Sequence, residues 1–182
     1  MATLKLGSTT AISESSGAIT YDAGTIGSNI VFPAGHVIQV LYKSQSGSDA
    51  DTAVSNTTKT AIAGLSQAIT VLASSKVFVH FNIHVYIQEH TANNWSVANL
   101  NIFRGSTDIY MPANTSNPYT HGRYTTDAND REMKVVSISY LDTPGSAGAH
   151  TYSAKINSKN GFVVGSYPSM GYSNMTLMEV AG

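Results

Sequence analysis

The chain has 182 residues, of which 12% are charged, and its formal net charge is -1 at pH 7 with neutral histidines. This length suits one domain with a substantial core, and the charged fraction is about half of the roughly 25% found in ordinary soluble proteins. The near-neutral charge argues against a nucleic-acid groove and against attraction to an anionic membrane. The absence of cysteine excludes disulfides and thiolate metal sites. A weakly charged surface favours association, which fits a subunit of a larger assembly.

The start of the chain gives no signal for secretion. Residues 1–8 lack the apolar segment of a signal peptide, and no apolar run is long enough to cross a bilayer. Four Asn-x-Ser/Thr sequons, at Asn56, Asn94, Asn114 and Asn174, are therefore interpreted as chance occurrences. We expect the protein to be made in a cytosol, with no membrane insertion, and to work in something assembled there.

Residues 1–30 are small and polar, and glycines punctuate their short apolar alternations. This pattern predicts an extended N-terminal arm with two or three short strands. Its apolar content is too small for a core of its own. We therefore expect the arm to dock on the domain of residues 31–182 or on a neighbouring subunit.

The clearest pattern lies at residues 76–88, where side chains alternate with the two-residue period of a strand. One parity is entirely apolar and predicts a core face. The other parity is semi-polar and predicts a contact with a second subunit. Its residues, our candidate interface with a neighbouring subunit, are Phe78, His80, Asn82, His84 and Tyr86.

Short strands with turn signals between them fill the remainder of the chain. A hairpin is predicted from residues 97–103 and 107–111, and a long loop from residues 112–131. Asn160-Gly161 favours a type I′ turn, after which residues 162–164 would pair back onto the preceding strand. Further strands are predicted at residues 36–42, 57–62, 68–72, 132–141, 150–157 and 175–180. About ten strands without an amphipathic helix predict an all-β fold, an antiparallel two-sheet sandwich or jelly roll.

Six segments in order resemble a known family. They are residues 32–39 (FPAGHVIQ), 74–77 (SSKV), 103–107 (FRGST), 137–144 (SISYLDTP), Tyr152 and 176–179 (TLME). In these segments the chain is similar to jelly-roll domains of structural proteins of tailed bacteriophages, which are themselves similar to the trimeric jelly roll of tumour-necrosis-factor and complement-head type. The resemblance implies a homotrimer displayed on a virion, in contact with other virion proteins of the capsid or tail and assembled after synthesis in the host cytoplasm. The chain lacks shaft repeats and an obvious tail-attachment region.

Two functions of different classes follow from this resemblance. The first is a non-enzymatic structural role, as a trimer on the particle surface that decorates or stabilises the capsid or forms a short fibre element. The second is a receptor-binding fibre tip that recognises a host-surface glycan or protein. Aromatic and arginine side chains, the usual anchors of such contacts, stand at Trp95, Tyr119, His121, Arg123 and Tyr124.

Metal binding and catalysis have weaker signals in this sequence. His80 and His84 lie ~13 Å apart along one strand, so the two histidines of a single chain cannot bind the same metal ion. A threefold axis could bring together three copies of either histidine, which could bind a metal ion. Residues 127–132 (DANDRE) offer acidic oxygens for calcium but lack EF-hand spacing, and Asp49 and Asp51 are weaker still. No nucleophile elbow, phosphate-binding glycine loop or His-Glu-x-x-His motif is present. We therefore predict no enzyme, no cofactor and no metal.

Overall fold

A computed structural model describes residues 3–6, 9–15, 18–20, 33–88, 94–110, 121–125, 131–159, 163–169 and 171–182. For residues 3–6, 9–15, 18–20, 94–96, 121–125, 131 and 163 it describes the backbone only. The chain forms two compact units, Met1–Phe32 and Pro33–Gly182. Within the described residues all regular structure is β-strand, and no helix there has the length and apolar character that crossing a membrane requires.

The first unit contains β1 (Thr3–Leu6), β2 (Thr9–Ser15) and β3 (Ala18–Thr20). They form an antiparallel sheet in the order β1-β2-β3. These are the short strands that the alternation in residues 1–30 predicts.

The second unit is a sandwich of two antiparallel sheets. Its strands are β4 (Val37–Ser44), β5 (Thr52–Val54), β6 (Thr60–Val71), β7 (Lys76–Gln88), β8 (Asn94–Arg104), β9 (Thr107–Tyr110), β10 (His121–Thr125), β11 (Arg131–Asp142), β12 (Gly148–Ser158), β13 (Val163–Ser166) and β14 (Asn174–Val180). The front sheet has the order β4-β14-β7-β11, with β13 and β5 continuing beside β7 beyond the end of β14. The back sheet has the order β6-β12-β8, with β9 and β10 paired to the outer edge of β8.

Successive long strands alternate between the two sheets. The chain passes from β4 in front to β6 behind, and then through β7, β8, β11, β12 and β14 in strict alternation. This winding is that of a jelly roll, so the predicted fold class is confirmed.

The core lies between the sheets and is centred on β7. Val79, Phe81 and Ile83 of its apolar parity have no exposed surface, because the back sheet covers them with side chains such as Leu100 and Ile156. The two-residue period of this strand predicted its buried face correctly.

Three local predictions are wrong. The strands predicted at residues 57–62 and 68–72 are parts of the single strand β6, which continues through an irregularity at Gly64, where φ is +78°. The predicted loop at residues 112–131 contains β10, which pairs with β8. The predicted pairing of residues 162–164 with β12 is wrong at Val163 and Val164, because β13 pairs with β7 and β5; Asn160, Gly161 and Phe162 lie outside the described residues.

Candidate functional site

The outer face of the front sheet carries several large exposed apolar side chains. Val40 and Tyr42 of β4 are 53% and 66% exposed. Val135 and Leu141 of β11, at the opposite edge, are 56% and 49% exposed. Exposed apolar surface of this extent on one sheet is characteristic of a contact surface.

The semi-polar parity of β7 lies in the middle of this face. Register places Phe78 opposite Met178 of β14 and Leu141 of β11. In the same way, Thr176 stands between His80 and Tyr42. β4 pairs with β14 and β11 pairs with β7, so these two strands flank the central pair β14-β7. Residues that are far apart in sequence therefore form one surface.

Polar groups on this surface are paired with one another. The His80 ring stacks on Phe78, with a 5° interplanar angle and 6.3 Å between centroids, and its Nδ1 is 2.9 Å from Ser139 Oγ. Asn82 Oδ1 accepts a hydrogen bond from Ser137 Oγ, and Asn82 Nδ2 donates to Asn174 Oδ1 over 3.4 Å. Pairing within the sheet lowers the cost of covering these groups with another protein surface.

Loop residues of the same chain cover His84 and Tyr86, the last two residues of the semi-polar parity of β7. Gly171 packs against the His84 ring, and the His84 N–H donates to Ser173 Oγ over 3.0 Å. Tyr86 is only 7% exposed, because its ring makes an edge contact with Tyr167 at 4.9 Å between centroids. We therefore define the front face as Val40, Tyr42, Phe78, His80 and Asn82. His84 and Tyr86 are not part of it.

The residues suggested for receptor contact fall on the back sheet. Tyr124 of β10 is directly opposite Trp95 of β8, and Arg123 is opposite Ser96. His121 is opposite Ala98, whereas Tyr119 lies outside the described residues. Strand pairing thus brings Trp95 and Tyr124 to neighbouring positions, which the sequence alone did not indicate.

The acidic side chains suggested as metal ligands bond to other groups of the protein. Among the residues that the structure describes, no group of three or more His, Asp, Glu or Cys side chains could hold a metal ion. The Asp49 carboxylate accepts the Ser46 N–H over 2.7 Å and lies against Gly64. Glu132 lies 2.7 Å from Lys134 Nζ, and residues 127–130 are outside the described residues.

A buried polar cluster was not predicted from the sequence. Tyr152 OH donates to Asp142 Oδ2 over 2.7 Å, and Arg104 NH1 donates to the same oxygen over 2.6 Å. Burial raises the pKa of Tyr152 far above that of an ordinary tyrosine, and its hydrogen bond to Asp142 and the charge of that residue raise it further. Burial by itself would lower the pKa of Arg104, but the hydrogen bond and charge of Asp142 outweigh this effect and raise it.

These three residues come from three of the segments that carry the resemblance described above. The sequence offered a usable signal, since Arg104 and Asp142 stand at the ends of two predicted strands within those segments. The cluster joins the ends of β8 and β11 to β12 and is a structural feature of the fold.

Comparison with known proteins gives only distant similarity. No family model and no curated protein matches the chain. A structure of infectious bursal disease virus, Gx strain, is 12% identical, with a TM-score of 0.28 over 89% of this chain and 43% of that one. A structure of the Gt strain of the same virus is 9% identical, with a TM-score of 0.29 over 88% of this chain and 42% of that one. The chain spans less than half the length of either, and similarity at these TM-scores carries no argument about its function.

Proposed function

We propose that this protein is a non-enzymatic structural protein of a virus particle, of the tailed-bacteriophage kind that its sequence segments resemble. In this proposal it is a homotrimer on the particle surface that decorates or stabilises the capsid or forms a short fibre element. The observation that carries the proposal is the front face, an exposed surface on a sheet whose opposite side forms the core.

The chemistry of the front face supports contact with further copies of the chain. No charged side chain stands among its residues, and the polar groups of His80 and Asn82 are bonded within the sheet. The low charge of the whole chain also limits electrostatic repulsion between copies. A second copy can therefore cover this face without burying an unpaired charge, which would carry a large penalty.

The location on the particle can be tested by co-sedimentation with intact and protein-stripped capsids of the virus that encodes the chain. The full chain is expected to pellet with capsids, and a variant that lacks residues 1–30 is expected to stay in the supernatant. Because residues 1–32 form a compact unit of their own, this deletion leaves residues 33–182 complete. Full-length chain that stays in the supernatant with both preparations would contradict the capsid proposal.

A second candidate, receptor binding at a fibre tip, is favoured by one observation. Trp95 and Tyr124 occupy directly opposite positions on β8 and β10. Neighbouring aromatic residues are common anchors for glycans and proteins. This candidate predicts binding to host cells that is lost in both Trp95→Ala and Tyr124→Ala and retained in Tyr42→Asp. Full-strength binding by both alanine variants, or no binding by the unmodified chain, would exclude it.

A further inference from the structure

The strand β11 forms a long edge of the front sheet. All twelve of its residues, from Arg131 to Asp142, pair with β7 in an unbroken register, and no other described strand pairs with its second edge. Its residues from Val135 to Leu141 include no charge, proline or bulge. Natural proteins normally protect an open edge with such features, because an unprotected edge pairs with other chains.

The structure shows which backbone groups of β11 face this open edge. The His84 N–H points towards Ser173, away from β11, so the even-numbered residues of β7 direct their hydrogen bonds to the β14 side. The odd-numbered residues of β7 therefore bond to β11, where register pairs them with even-numbered residues such as Ile138. The N–H and C=O groups of Val135, Ser137, Ser139 and Leu141 consequently lie in the plane of the sheet and point away from β7, at the open edge.

The exposed side chains of β11 complement one another in an antiparallel pair. A twofold axis beside Ile138 places Ser137 opposite Ser139 of a second copy, and Val135 opposite Leu141 of that copy. The hydroxyl residues then pair with each other, and the two exposed apolar side chains, 56% and 49% exposed, cover each other on one face of the sheet. The outward-pointing groups of the four odd-numbered residues supply about eight backbone hydrogen bonds.

We propose that β11 pairs antiparallel with β11 of a second copy of this chain, which joins two front sheets into one continuous sheet. This contact uses the edge of the sheet, whereas the proposed trimer uses the front face. The two contacts use different residues of neighbouring strands, and together they would link one trimer to another through pairs of β11 strands.

A proline at position 139 tests the edge contact directly. Ser139→Pro removes an N–H that points out of the sheet and leaves the bonds between β7 and β11 in place; prolines are tolerated at such edge positions. The matched control is Ser139→Ala, which also removes the contact of Ser139 Oγ with His80 but keeps the N–H. Sedimentation equilibrium should give three chains per particle for Ser139→Pro and an even multiple of three for the unmodified protein and for Ser139→Ala. An unchanged number in Ser139→Pro, or an odd number of chains in the unmodified protein, would overturn the proposal.

Amide hydrogen exchange of the unmodified protein provides a test that needs no variant. In the assembled protein the amides of Ser137 and Ser139 should be protected, as are those of Val136 and Ile138 within the sheet. Dilution to the point of dissociation should release only the odd-numbered pair. Rapid exchange of Ser137 and Ser139 in the assembled protein would overturn the proposal. The front face is judged separately with Tyr42→Asp, which should break the threefold contact and leave the edge contact intact.

Discussion

The hydroxyl of Tyr152 donates a hydrogen bond over 2.7 Å to Asp142 Oδ2, the oxygen that also receives Arg104. Tyr152 has no exposed surface and Asp142 has 5%. The bond ties β12 of the back sheet to the end of β11 in the front sheet. It therefore links the core to the same strand whose open edge faces solvent.

Removal of this hydroxyl should weaken the fold measurably. In Tyr152→Phe the ring still fills the core, but Asp142 loses one of its donors and keeps Arg104. We expect the free energy of unfolding at pH 8 to fall by about 1 kcal/mol, the usual net value of such a bond. Urea denaturation followed by tryptophan fluorescence measures the change, and equal stability of the two proteins would show that the bond adds nothing.

The raised pKa of Tyr152 also predicts a dependence on pH. Tyrosine in an unfolded chain ionises near pH 10, whereas burial and Asp142 raise the pKa of Tyr152 in the folded protein. Above pH 10 the unfolded state therefore holds fewer protons than the folded state, and stability falls as pH rises. The stability difference between the unmodified protein and Tyr152→Phe should be constant below pH 10 and shrink above it. A difference that stays constant up to pH 11.5 would contradict this assignment.

Glu179 should be intolerant of neutralisation. It is 1% exposed, and its carboxylate accepts the Leu72 N–H over 2.7 Å and Gln39 Nε2 over 2.6 Å. In Glu179→Gln one of these donors would meet an amide NH₂, so we expect a loss of about 1–3 kcal/mol in the free energy of unfolding.

The matched control for this prediction is Glu132→Gln. That substitution neutralises the surface ion pair with Lys134 and should cost less than about 1 kcal/mol. Both values come from urea denaturation under the same conditions. Equal losses in the two variants would show that burial of Glu179 is not what makes it important.

Gly165 should not accept a side chain. A Cβ at this position would collide with the Thr52 backbone oxygen of β5 and approach the Tyr167 ring to 2.8 Å. Because the first obstacle is backbone, relief requires β5 to move, and we expect Gly165→Ala to lose at least about 1–3 kcal/mol.

Gly47→Ala serves as the comparison for Gly165→Ala. A Cβ at position 47 meets only the Tyr172 hydroxyl, at the ordinary distance of 3.4 Å. Thermal unfolding should therefore separate the two variants by several degrees. Identical melting temperatures would contradict the packing described around β13.

Side-chain alternation and turn residues predicted features that depend on residues close together in sequence, but they did not predict the pairing of distant strands. The alternation in residues 76–88 indicated the buried face of β7 correctly, because that parity is entirely apolar. β10 was missed because it is short and polar and includes Gly122, so its sequence does not differ from that of a loop. Asn160-Gly161 suggested a tight hairpin, but tertiary pairing carried β13 to the front sheet.

The candidate site depends on contacts that local pattern does not contain. Val40 and Tyr42 join Phe78 on one face only because β14 inserts between β4 and β7. The bond from Gln39 to Glu179, which spans 140 positions of sequence, belongs to the same pairing. Such long-range neighbours follow from the winding of the whole chain, so the residues of β4 were absent from the predicted interface.

Sedimentation equilibrium of the unmodified protein beside Tyr42→Asp tests the central claim most directly. Tyr42 is the most exposed member of the front face, and Ala68→Asp, at an exposed position on the back sheet, is the matched control. We predict particles that contain a multiple of three chains for the unmodified protein and for Ala68→Asp, and at most two chains for Tyr42→Asp. A single chain in the unmodified protein, or a threefold multiple that persists in Tyr42→Asp, would contradict the claim that copies associate through this face.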